Sequence, residues 1–290
     1  MKYISFLLTL FLLIGCTNTE QNSKENFQTE TDIQATETPS DKTESPKSTI
    51  ESEGTKPATA AALSNKTEGW GFRPMAGARP EFTAGQISLM EKSNSIYMGS
   101  DEDKSIYLTF DEGYENGYTA PILDTLKKNN VTAAFFITGP YLDKNLDLVR
   151  RMVDEGHIVG NHTVKHLSLP SLNDSEIERE LIELDRKFYN MFGISMKYLR
   201  PPMGEYSERT LFISKNLGYT NVFWSFAYRD WETDNQKGAD YAVEQFKKGL
   251  HGGGVILLHA VSKDNAEGLE RMIENAQAQG YIFKSLDEYK

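Results

Sequence analysis

From Ser105 to the C-terminus, short runs of β-branched and aromatic residues alternate with amphipathic stretches. That alternation is the pattern of βα units laid into a parallel sheet. Seven runs begin at Ser105, Val131, His157, Lys197, Thr220, Gly254 and Tyr281, with six helical stretches between them. In the second stretch Leu142, Leu146, Val149 and Val153 share one face, and Gly156 follows as a stop. In the third, Asn173 and Glu176 make a capping-box pattern, Ile177, Leu181, Leu184 and Phe188 form the apolar stripe, and Gly193 ends it. Seven such units in about 185 residues predict an α/β fold, a distorted (β/α) barrel of about seven parallel strands, somewhat smaller than an eightfold one. An open doubly wound sheet is the structural alternative.

The first third of the chain is of another kind. Lys2 precedes an apolar run from Ile4 to Ile14, followed by Gly15 and Cys16. A bilayer-spanning helix needs about 20 apolar residues, so this shorter run reads as a secretion signal rather than a permanent anchor. Leu13-Ile14-Gly15-Cys16 resembles a bacterial lipobox, in which Cys16, the only cysteine of the chain, receives a diacylglyceryl group. Residues 17–66 hold nine acids and five lysines, and Phe27, Ile33, Ile50 and Leu63 are their only large apolar residues. Such a segment cannot build a core and is expected to be a disordered acidic Thr/Ser-rich tether, with a reach of roughly 40 Å. The expected location is the outer face of the cytoplasmic membrane, on the forespore or cell-wall side, with the lipid at Cys16 as membrane partner.

A net charge of -11 opposes binding to phosphate backbones, so no nucleic-acid partner is expected. One cysteine allows neither an internal disulfide nor a four-cysteine zinc module. A mean hydropathy of -0.51 excludes a polytopic membrane protein.

In a parallel barrel the site forms at the C-terminal strand ends, and here those ends are polar in a non-random way. The first strand leads into Asp111 and Glu112, and the third into Asn161, His162 and His166. The fourth carries Arg200, the fifth leads to Asp230 and Trp231, and the sixth ends in His259. His162 and His166, spaced i and i+4, are close enough to share a metal ion. Asp111 or Glu112 can complete a three-ligand set with an open position for water, leaving the other acid as base. His259, from another strand, is placed to protonate a leaving group. His157, inside a strand, is expected to be structural, and His251, opening a Gly-Gly-Gly loop, to be exposed. Trp231 is suited either to stacking on a sugar ring or to the core.

Five segments carry a resemblance: TFDEGYENGYT at Thr109, GNHTVKH at Gly160, RPPMGEYSERT at Arg200, WSFAYRDWETDNQKGADYA at Trp224 and ILLH at Ile256. Together, and in this order, they resemble the five motifs of the polysaccharide deacetylases, the NodB-homology family, carbohydrate esterase family 4. DxGYENGYT, RPPxGxxSERTL and DWxTDNQKG further resemble the branch that deacetylates N-acetylmuramic acid in peptidoglycan on the way to muramic δ-lactam of the spore cortex. Trp70-Gly71-Phe72 and the stretch from Ile87 resemble that branch's N-terminal extension.

With residues 1–16 as lipoprotein signal and 17–66 as tether, the resemblance implies 67–103 as an extension packed on the barrel and 104–290 as catalytic domain. It implies metal-dependent de-N-acetylation of peptidoglycan glycan strands, with zinc, cobalt or manganese as the divalent ion. Asp111 resembles the general base, His162 and His166 the metal ligands, and Arg200 the arginine that holds the base carboxylate. Asp230 matches an aspartate that pairs with Arg200 or tunes the acid, and His259 matches the general acid. Leu257 lies where the family shapes a pocket for the acetyl methyl, and the Met203 backbone N–H matches an oxyanion donor. Glu112 stands where most of the family has aspartate as third ligand. It either ligates or hydrogen-bonds nearby while two histidines hold the ion. A wall amidase is the implied functional partner. N-acetylglucosamine or another glycan is the alternative substrate, and a non-catalytic glycan-binding lipoprotein the alternative class.

Overall fold

A computed structural model describes residues 60–289 apart from 76, 77, 101 and 103. The signal, Cys16 and most of the tether lie outside the described residues. Seven strands form one sheet: β1 (Ser105–Glu112), β2 (Ala134–Ile137), β3 (Ile158–Asn161), β4 (Tyr198–Leu199), β5 (Thr220–Asn221), β6 (Gly254–His259) and β7 (Ile282–Phe283). Six of them fall within the expected runs, and β1 extends two residues beyond the expected end at Phe110. All pairings are parallel, in the order β6-β1-β2-β3-β4-β5, and β7 joins the start of β1. The sheet curls toward closure through an irregular segment after β5. Phe226 bridges in parallel to Ile256, and Leu257 N–H donates to the Phe226 carbonyl at 2.9 Å. The result is the distorted barrel rather than the open sheet.

Side-chain alternation along the strands separates two cores. Tyr107, Phe136, Tyr198, Val222 and Val255 pack together inside the barrel. Ile106, Leu108, Phe110, Phe135, Ile137, Ile256 and Leu258 face the helical layer. That layer contains α2 (Thr119–Lys128), α3 (Gly139–Lys144), α4 (Leu146–Asp154), α5 (Asp174–Phe192), α6 (Glu208–Asn216), α7 (Ala239–Gly249) and α8 (Lys263–Ala278), while α1 (Ala84–Ser93) precedes the barrel. Helix α5 carries the capping box formed by Asn173 and Glu176, buries Ile177, Leu181, Leu184 and Phe188, and ends on Gly193 in the left-handed region.

Two expectations are corrected. The Leu142 to Val153 stripe is not one helix: Asn145, at φ -128°, separates α3 from α4. The tether expected over 17–66 also reaches too far, because residues 60–66 are docked. Ala60–Ala62 form a 3-10 turn, the Ser64 carbonyl accepts from Arg209 N–H at 3.1 Å, and Asn65 Nδ2 donates to the Pro170 carbonyl at 2.9 Å. Backbone and amide partners hold this stretch where composition alone offers little apolar surface.

Candidate active site

Parallel register does the first work of assembly. Asp111 and His259 are direct partners across β1 and β6, so both functional groups arrive at the same strand ends. Alternation then turns Tyr107, Thr109 and Asp111 toward the barrel interior, with Leu257 and His259 on the matching face of β6. Of these, Asp111, Leu257 and His259 reach a cavity of about 960 Å³, lined also by His162, His166, Met203 and Trp231.

Arg200 lies fully buried beneath Asp111. Its Nη1 is 3.3 Å from Asp111 Oδ1, its Nη2 donates to Thr109 Oγ1 at 2.8 Å, and its guanidinium lies over the Phe136 ring at 4.5 Å. A planar cation sandwiched this way fixes the carboxylate in place while burial pushes its own pKa down. The expected pairing of Arg200 with the base carboxylate is therefore what the geometry contains.

His162 Nδ1–H donates to the Arg200 carbonyl at 2.8 Å, which leaves Nε2, 3.5 Å from Asp111 Oδ2, as the ring's lone-pair nitrogen. Burial is the main cause that lowers its pKa to about 4, so the ring is neutral. His166, whose pKa burial also lowers, stands with its ring 4.7 Å from that of His162. The pair does not approach along a helix turn, as the i, i+4 spacing suggests. Thr163 and His166 are both left-handed, and Thr163 Oγ1 accepts from His166 N–H at 2.9 Å.

Opposite them, Asp230 is buried and bound to His259 twice: Oδ1 to Nδ1 at 2.8 Å, and Oδ2 to the backbone N–H at 2.7 Å. Asn265 Nδ2 donates to Oδ2 at 2.6 Å. Burial pulls the His259 pKa down, but the Asp230 carboxylate outweighs it and the net shift is upward. Of the two roles open to Asp230, the structure contains the contact with the acid and not one with Arg200.

Glu112 is corrected. Strand β1 continues through it, so alternation turns its side chain away from Asp111, to the face of Phe110 and the helical layer. There it is fully buried, neither carboxylate oxygen has a hydrogen-bond partner, and burial raises its pKa well above the usual carboxylate range. It does not line the cavity, and among the described residues no group of three His, Cys, Asp or Glu is gathered to hold a metal ion. Two neutral imidazoles fit an ion; the expected third, Glu112, does not.

His251 is likewise buried rather than exposed, with Nε2 2.9 Å from Ser225 Oγ and Nδ1 2.7 Å from the Gly249 carbonyl. His157 is structural, accepting from Ala133 N–H at 3.2 Å. Trp231 is half exposed and edge-on to His259 at 5.5 Å, on the cavity wall rather than in the core. Sequence reasoning missed Thr109, Phe136, Trp224 and Asn265. Thr109 was findable, two residues before Asp111 on the same strand face. Nothing in the sequence ties Asn265, inside α8, to Asp230.

Comparison with known proteins identifies the family. Residues 98–222 match the polysaccharide deacetylase family. The chain is 45% identical over 233 residues to the peptidoglycan-N-acetylmuramic acid deacetylase PdaA of Bacillus subtilis, covering 80% of this chain and 89% of that protein. This protein belongs to the polysaccharide deacetylase family. The solved structure of Bacillus subtilis PdaA, described as a family 4 carbohydrate esterase, superposes with a TM-score of 0.77 at 44% identity, covering 78% of this chain and 98% of that one. A family 4 carbohydrate esterase from Bacillus anthracis superposes with a TM-score of 0.68 at 41% identity, covering 79% and 98%. Polysaccharide deacetylases of this family are hydrolases that generally depend on a metal ion.

Proposed function

We propose that this protein removes N-acetyl groups from peptidoglycan glycan, acting on N-acetylmuramic acid residues that lack their peptide. The observation that carries the chemistry is the pairing of Asp111, fixed by buried Arg200, with an Asp230–His259 dyad on the neighbouring strand. Asp111 takes the proton of the attacking water as its oxygen joins the acetamide carbonyl. His259, its Nδ1–H held by Asp230, gives the Nε2 proton to the departing amine nitrogen as the C–N bond breaks and acetate leaves. The Met203 N–H faces the developing oxyanion, and Leu257 receives the acetyl methyl. His162 and His166 would hold a divalent ion, zinc with cobalt and manganese as alternatives, which would polarise the carbonyl when bound.

Two features support muramic acid over a neutral sugar. One is the 45% identity to a protein named for that activity. The other is charge: among the described residues Asp111 is the only acid lining the cavity, while Lys165 and Arg229, the latter also paired with Glu232 at 3.6 Å, stand on its wall in a chain of net charge -11. Muramic acid without peptide carries a free lactyl carboxylate that these cations suit. Its freed amine can attack that carboxyl, losing water to form a δ-lactam, and a wall amidase supplies the peptide-free substrate. Export and lipid attachment at Cys16 place the enzyme at the wall, in keeping with the signal-like N-terminus.

The test is mass analysis of amidase-stripped glycan after incubation with the protein, with each metal or with chelator. Metal-dependent loss of acetyl from muramic acid, abolished in Asp111→Asn, is expected. Turnover of chitin oligomers alone would move the substrate to N-acetylglucosamine, and tight binding without turnover would make the protein a glycan-binding lipoprotein. Free amines without lactam would remove the cyclisation step.

A further inference from the structure

The N-terminal extension reaches the catalytic strand ends and grips the turn that carries Met203. Residues Glu68–Gly69 pair antiparallel with Glu205–Tyr206, immediately after that turn. Trp70 N–H donates to the Gly204 carbonyl at 2.8 Å, and Trp70 Nε1–H donates to the Trp224 carbonyl, also at 2.8 Å. Trp224 in turn lies 5.5 Å from the Arg200 guanidinium, so Trp70 joins the turn through its backbone and the wall behind the base through its indole. Trp70 itself is held, packed against Phe223 at 4.6 Å and stacked on Phe82 at 5.2 Å, and Gln86 Nε2 donates to the Gly71 carbonyl at 2.8 Å.

The turn needs such a hold. Met203, at φ 58° and ψ 7°, and Gly204, at φ 67°, are consecutive left-handed residues, and a non-glycine in that region is strained. A backbone donor that depends on a strained turn keeps its aim only while the surroundings over-determine it. Trp70, Gly71 and Phe72 also line the same cavity as Met203 and Gly204. All three precede residue 98, where the family match begins.

We propose that Trp70 is a positioning residue for deacetylation: its backbone N–H holds the Gly204 carbonyl while its indole Nε1–H, on the Trp224 carbonyl, anchors Trp70 itself, so that the Met203–Gly204 turn keeps the Met203 N–H aimed at the oxyanion. This rests on the deacetylase reading and on Met203 as the donor. The chemical consequence is that the extension belongs to the catalytic apparatus.

Trp70→Phe keeps a ring in the packed cluster and removes the Nε1–H bond. Phe82→Leu removes the ring stacked on Trp70 while leaving both Trp70 hydrogen bonds in place. In the full chain, Trp70→Phe is expected to lower kcat about tenfold with KM within about twofold, because misaiming a donor weakens the transition state and not the ground state. Its affinity for a phosphonate analogue of the tetrahedral intermediate should fall in parallel. Phe82→Leu should lower the melting temperature and leave kcat within about twofold. A wild-type kcat in Trp70→Phe, or an equal loss in both variants, would overturn the role of Trp70 alone. A wild type that releases no acetate would overturn the deacetylase reading and this inference with it.

Discussion

Replacing Asp230 by Asn tests the acid assignment at nearly constant shape. Asp230 Oδ2 accepts from the His259 backbone N–H at 2.7 Å and from Asn265 Nδ2 at 2.6 Å, and an amide oxygen can keep both bonds. At the other position an NH2 replaces the oxygen that holds His259 Nδ1 at 2.8 Å. Nδ1 must then accept, and a protonated ring would face donor to donor. The wild-type shift is upward because Asp230 outweighs burial, so removing its charge leaves burial in control and the pKa falls. An opposite charge in contact is worth about one to three pKa units, each a factor of ten in the protonated fraction. The alkaline limb of kcat should therefore move about one to three units toward acid, with activity above that limb lower by about 10- to 1,000-fold and partial recovery at lower pH. Acetate release measured over about pH 5 to 9, with circular dichroism to confirm folding, reads both effects. An alkaline limb left in place, with kcat merely scaled, would refute Asp230 as the group that holds the His259 proton.

Glu112→Gln should leave metal-dependent activity intact, since the side chain faces the helical layer; loss of metal affinity would restore it as a ligand. It should also raise the melting temperature at neutral pH but not below about pH 4, because a buried acid with a raised pKa contributes its full stability below the unfolded value and loses it as pH rises. Gly204→Ala puts a Cβ 2.7 Å from Trp224 Cη2 and 3.2 Å from Trp70 Cβ at a left-handed φ. Strain and overpacking together cost about 2 to 5 kcal/mol, or about 4 to 20 °C in melting temperature by calorimetry; an unshifted transition would show that the turn relaxes freely. Lys165→Gln and Arg229→Gln should each raise KM about three- to tenfold for glycan bearing free lactyl carboxylates and leave KM for neutral chitin oligomers unchanged. An equal change on both substrates would deny a carboxylate subsite.

Much of the site was legible because parallel strands put their C-terminal residues at one end, so strand recognition from the seven runs already gathered Asp111, His162, Arg200, Asp230 and His259. The capping box and stripe of α5 were readable for a similar reason: each rests on contacts within four residues. Glu112 was misread because its role turns on how far β1 stays regular. One more residue of strand sends a side chain to the opposite face, and no local pattern announces where the strand ends. The His162–His166 approach was read from helical spacing but is made by two left-handed residues in a loop.

By itself the sequence determined the order of βα units, the apolar faces and the types of group at the strand ends, because periodicity and capping act over a few residues. Tertiary structure decided that Asp230 meets His259 rather than Arg200, that Glu112 lies behind the strand, and that Trp70 reaches Gly204 across more than a hundred residues. Those outcomes depend on register, closure and close packing among distant segments, whose energies are set only when the whole barrel is assembled.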